Sequence, residues 1–180
     1  MLIGVNPAET VWKPWADIQA ERIRLDTETV TRRREEQIGR LQTLKVDATV
    51  VTAAQKQFDD ALAHLGEELA SLDRSPGQPE FQIGHLSWAI RAQVRDLYAK
   101  GTVTDAAEAM RLLVRHGCKG HRNLRDGGGN DLPFGFAAQA GAFSQLSEET
   151  FEVYAASGVV EALASVILQY NTLTAEKRKN

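Results

Sequence analysis

The chain has little cysteine, little net charge and no long apolar run. Cys118 is the single cysteine in 180 residues, which excludes an internal disulfide framework and predicts a reducing compartment. A net charge of −3 gives no global field to draw the whole molecule to nucleic acid or to an acidic membrane. No apolar run reaches the roughly 18 residues of a membrane span. The opening MLIGVNPAETVWKPW has no basic segment leading into an apolar one, so no secretory signal is expected. Aromatic residues are few, at 7%, and no internal repeat is evident. The expected location is the cytosol.

What is present is ordinary for a soluble domain: 43% hydrophobic and 25% charged residues. The length suits one domain, or a small domain with an appendage.

Most of the chain carries helical signals. Pro14 sits where a first helical turn tolerates proline, and no proline follows before Leu44. The apolar stripe through this stretch is thin, and its centre, Thr31-Arg-Arg-Arg-Glu-Glu36, has no apolar residue. The spacing predicts a long helix whose middle projects into solvent or lies on a partner. Lys45–Thr52 is β-branched and short, which suggests a strand-like turn. Phe58, Leu62, Leu65, Leu69 and Leu72 then repeat at the spacing of a coiled-coil seam. The economical solution is an antiparallel helical hairpin, Pro14–Leu44 against Thr52–Asp73, with self-association through the same seam as the alternative.

Ser75-Pro-Gly-Gln-Pro79 breaks any helix and marks a domain boundary. A helix is expected over Leu86–Lys100, with Gly101 just past its end. The next starts at Thr104 or Asp105, where Asp105 and Glu108 have capping-box spacing, and Gly117 can end it. Ser147 caps a helix with Glu148 and Glu149 in its first turn. Val159–Tyr170 is the most apolar helix and the expected core. The predicted fold is mainly α. It comprises a coiled-coil-like hairpin over 1–75, a linker over 76–85 and a small helical domain over 86–180 with one long glycine-rich loop. A short β-ribbon in the loop region is allowed for.

That loop, His116–Phe134, is where function is expected, because a long irregular segment in a compact helical protein usually contacts something or is disordered. His116, Cys118 and His121 form H-x-C-x-x-H, but one such cluster without a second cysteine lacks the paired ligands of a structural zinc site. Cys118 as a nucleophile would take its base from His116 or His121 and its acid from Asp126, a crowding in sequence unlike most cysteine enzymes. The plainer reading makes Cys118 a small buried hydrophobe. Asp126–Asp131 lacks both the Lys-Ser/Thr pair of a phosphate loop and the oxygen pattern of an EF-hand; a glycine-dependent turn is the plainer reading. No catalytic, cofactor or metal residue is therefore assigned, and a non-enzymatic protein is expected.

The remaining candidates are partner-binding. Arg111, Arg115, Lys119, Arg122 and Arg125 form a local basic patch that an acidic protein surface or nucleic acid could meet. Few aromatics interleave, so base stacking is not indicated. The bland alternative is a solvated face balanced by nearby acids. Trp12 and Trp15 could anchor an interface or staple the open end of the hairpin. The partner-binding set is thus Trp12, Trp15, the seam Phe58, Leu62, Leu65, Leu69 and Leu72, and the loop residues Lys119, His121, Arg122 and Arg125.

A succession of turns in the second half carries a resemblance. Gly117, Gly120-His-Arg-Asn123, Asp126-Gly-Gly-Gly-Asn130, Leu132-Pro-Phe134, Ser147 and Asn171-Thr-Leu-Thr174 follow one another in a loose pattern. Over roughly 105–180 it resembles phage tail assembly chaperones and minor virion morphogenesis proteins, although His121 stands where an aromatic would be expected. The resemblance implies a non-catalytic protein that binds other structural proteins in several copies, in the cytoplasm of a bacterial host or within a virion. The alternative is a small inhibitor or regulator of a nucleic-acid-handling host complex.

Overall fold

The computed structural model describes residues 10–125, 128–137 and 145–176. Helices dominate it, as expected. Two compact units emerge: one takes in the chain up to Ile18 and from Ser75 onward, the other is Gln19–Arg74.

The Gln19–Arg74 unit is built from helices α1 (Trp15–Thr43), from Gln19 on, and α2 (Ala48–Ala70). Arg22 pairs with Glu68, and Arg34 with Asp59 at 3.0 Å, so α2 runs back along α1 as a helical hairpin. The turn between them is short. Lys45 adopts a left-handed φ of 53°, and the Val46 N–H donates to the Leu41 carbonyl at 3.2 Å. The Asp47 side chain then caps α2 by accepting from the Thr49 N–H at 2.8 Å. This corrects the strand-like reading of Lys45–Thr52. An aspartate cap satisfies the free N–H groups of a first turn and outweighs the weak strand preference of Thr49, Val50 and Val51. Leu72 falls beyond the end of α2.

The other unit contains a sheet that the helical expectation did not include. Strands β1 (Thr10–Pro14), β2 (Glu80–Gly84) and β3 (Cys118–Arg122) pair antiparallel in that order. The proposed linker over 76–85 therefore holds the central strand. Phe81 and Ile83 are buried while Glu80 and Gln82 are half-exposed, the alternation of a strand with one face on a core. The expected hairpin over 1–75 likewise divides, because Thr10–Pro14 and the first residues of α1 belong with this sheet.

The sheet's buried Phe81 and Ile83 share one apolar core with helices α3 (Trp88–Lys100), α4 (Val103–Gly117), α5 (Glu148–Ala156) and α6 (Val159–Glu176). α3 starts at its Ser87 cap and ends at Gly101, which takes a left-handed φ of 73°. Thr102, not Asp105, caps α4, and its hydroxyl accepts from the Asp105 N–H at 3.1 Å. α4 packs on both α3 and α6. At Gly117 a β-carbon would run into the Ile167 side chain of α6. Leu163, Val166 and Ile167 of α6 are fully buried, so the most apolar helix is a core element.

The expected long loop is shortened by β3. After Arg122 the chain turns through Asn123 (φ 58°). It then closes on itself where Arg125 bridges Asp131 and the Leu132 N–H donates to the Leu124 carbonyl at 2.8 Å. Gly129 supplies a φ of 82° within that closure, in keeping with a glycine-dependent turn. Asp126 and Gly127 lie outside the described residues, as does the end of the basic tail. Two short strands, β4 (Phe136–Ala137) and β5 (Gln145–Leu146), pair before α5. No single helix is long and apolar enough to cross a membrane among the described residues.

Candidate interaction surfaces

Each unit holds part of the predicted partner-binding set. In the helical hairpin, a two-helix arrangement can cover only part of an apolar seam. Ile23 and Ala54 are its only buried apolar residues. Phe58, Leu62, Leu65 and Leu72 are half-buried, and Leu69 is 40% exposed. At the hairpin's tip Leu44 is 73% exposed. Phe58 forms the apolar part of a cleft of about 440 Å³ whose other lining residues are Arg33, Glu36, Gln37 and Arg40. Arg33 and Glu36 stand one turn apart on α1, and among the described residues neither has an ion-pair partner. A cleft lined by an aromatic side chain and opposite charges is suited to a helix of complementary pattern.

The loop residues are engaged within their own unit. His121 points inward from β3: its Nδ1 lies 2.6 Å from the Tyr154 hydroxyl and its Nε2 lies 2.7 Å from the Leu132 carbonyl oxygen. A carbonyl only accepts, so Nε2 carries the proton and, in the neutral ring, Nδ1 accepts from Tyr154. Phe134 meets the same ring edge-on at 5.2 Å. His121 therefore ties the loop to α5 instead of facing outward.

Cys118 is fully buried beside this network. Its Sγ donates to the Gly120 carbonyl at 3.5 Å and lies 3.8 Å from the Tyr154 hydroxyl. Burial pushes its thiol up to about 11, and burial pushes the Tyr154 phenol up as well. A nucleophilic cysteine needs the opposite environment. No cluster of three or more His, Cys, Asp or Glu able to hold a metal occurs among the described residues.

Four of the five residues of the basic patch are ion-paired in place. Arg111 and Arg115 each reach Glu148 at 2.8 Å, Arg122 reaches Glu80 at 2.6 Å and Arg125 reaches Asp131 at 3.6 Å. Lys119 lies along Gly84, where a β-carbon would meet its Cγ at 2.8 Å, and burial lowers its ammonium below the usual lysine range. The acids come from distant segments, Glu80 from β2 and Glu148 from α5, so the sequence alone showed only the positive half. The two tryptophans belong to the sheet unit. Trp12 stacks under the Arg122 guanidinium at 4.7 Å, and Trp15 meets Phe81 edge-on at 5.7 Å.

No protein family, curated protein or solved structure matches this chain. The physical arrangement of its own residues is thus what distinguishes the two surfaces. Most of the loop's polar groups have partners within the chain. The hairpin retains apolar surface and opposite charges without internal partners.

Proposed function

We propose that this protein is a non-enzymatic interaction module that assembles through its helical hairpin. The supporting observation is the half-covered seam Phe58–Leu69 beside the unpaired Arg33 and Glu36. The occupant is a second copy of the chain. A two-fold axis passing between positions 33 and 36 of two antiparallel α1 helices brings Arg33 of each copy to Glu36 of the other. One contact is thereby made twice, as a closed symmetric dimer requires. The same approach covers Phe58 in both copies, and burial of that seam supplies the driving force while the charges select register.

The setting of this reading is assembly of a bacteriophage tail or virion, or of a phage-derived particle, which the turn pattern over 105–180 suggests. Quantitative mass spectrometry of density-purified particles from producing cells tests it. A fixed copy number relative to a major capsid protein supports a virion component. Detection only as free protein in the lysate of particle-producing cells removes the virion role and leaves the hairpin reading to be judged by oligomeric state.

A further inference from the structure

A groove of about 370 Å³ opens in the sheet-containing unit, within the 300–1000 Å³ range of small-molecule sites. Val94 of α3, Leu113 of α4 and Leu168 of α6 give it an apolar lining. Leu168 and Tyr98 remain 39% and 40% exposed there, so apolar surface is left open to solvent in a well-packed unit.

The polar lining groups fall into two kinds. The Asn171 amide is engaged, accepting from the Leu86 N–H at 2.8 Å and donating to the Ile167 carbonyl at 2.8 Å. The Thr172 hydroxyl donates to the Leu168 carbonyl at 2.9 Å. Arg95 is paired with its neighbour Asp96 at 3.2 Å. Arg91 differs: its Nε is shut off from solvent with no acceptor, and its guanidinium has no ion pair among the described residues. An unpaired guanidinium lining an apolar groove is a charge that an anion entering the groove can meet.

We propose that this groove binds a medium-chain aliphatic carboxylate, with its chain along Val94, Leu113 and Leu168 and its carboxylate on Arg91. The proposal is independent of the hairpin reading. One guanidinium matches one carboxylate in a two-pronged hydrogen bond. A phosphate dianion would bring a second charge into an apolar site that offers one unpaired cation, so the monoanion fits better.

The test is calorimetric titration of the full chain with decanoate below its micelle concentration, with 1-decanol as the uncharged counterpart. Decanoate should bind saturably with at least roughly tenfold higher affinity than 1-decanol, the size of a charge-assisted hydrogen bond. Arg91→Gln should remove that difference, bringing decanoate affinity down to that of 1-decanol. Leu168→Trp, which fills the groove from a partly exposed position, should weaken both ligands by a similar factor. Absence of saturable decanoate binding overturns the proposal. So does equal affinity for the alcohol, an unchanged preference in Arg91→Gln, or decanoate binding that Leu168→Trp leaves intact.

Discussion

The Nδ1 of His121 lies 2.6 Å from the hydroxyl of Tyr154, joining an edge strand to a core helix across 33 positions of sequence. Because Nε2 holds the Leu132 carbonyl, the ring links three segments: β3, α5 and the loop that follows β3. Tyr154→Phe keeps the ring volume and deletes the donor. It should cost about 1–3 kcal/mol, the penalty for a half-buried acceptor left unsatisfied. Urea denaturation measures this. A loss under roughly half a kcal/mol would mean that water replaces the phenol and that the link carries little stability.

Cys118 should be inert in the folded chain. Its thiol is inaccessible and pushed up to about 11, so little thiolate exists near neutrality. A thiol-reactive disulfide reagent should modify it only as fast as the unit unfolds, and denaturant should raise the rate by orders of magnitude. Rapid stoichiometric labelling of native protein would contradict this burial.

Two glycines should respond in opposite directions. Gly117→Ala forces a methyl group into Ile167 where α4 meets α6, and should destabilise by about 1–3 kcal/mol. Gly66→Ala, in the interior of α2 with nothing within 4 Å of the added carbon, should stabilise by about 0.5–1 kcal/mol. Thermal unfolding of the two variants reads both signs. Equal effects would mean that backbone propensity, not the α4–α6 approach, sets the cost at Gly117.

Acidification should weaken the fold through His116. Burial, helped by Lys119 and Arg115, holds its imidazole below the ordinary 6.5. The unfolded chain takes up this proton before the folded one does. The contribution is therefore full above that ordinary value and is lost as pH falls through it toward the folded value. Urea midpoints measured at about pH 7.5 and about pH 5.5 bracket the window. His116→Gln should lose less stability across it than the parent. An equal loss would assign the pH dependence to other groups.

The helices were legible because each is local. Periodic apolar spacing, Gly101 and Ser147 mark their bounds, and Ser147 indeed accepts from the Thr150 N–H at 3.2 Å. The sheet was not legible, because its strands are five residues each and pair across long separations. Trp12 meets Gln82, and Gln82 meets Gly120, none of which is near in sequence. Phe81 and Ile83 did alternate with polar neighbours, a signal hidden by the helix-breaking Pro76 and Pro79 before them. The acids facing the loop were hidden for the same reason. Lys119, Arg122 and Arg125 read as a basic patch, yet Arg122 is answered by Glu80, some forty positions away. The seam of α2 was legible in spacing, but how much of it α1 covers depends on packing that spacing does not record.

The central claim, assembly through the hairpin, is tested most directly by sedimentation velocity on charge-swapped chains. The parent should sediment as a dimer or larger species. Arg33→Glu and Glu36→Arg should each be monomeric, since both contacts across the axis become repulsive. An equimolar mixture of the two should regain the dimer, because each then presents the charge the other lacks. A parent that stays monomeric at high concentration, or a mixture no more associated than its components, would contradict the account.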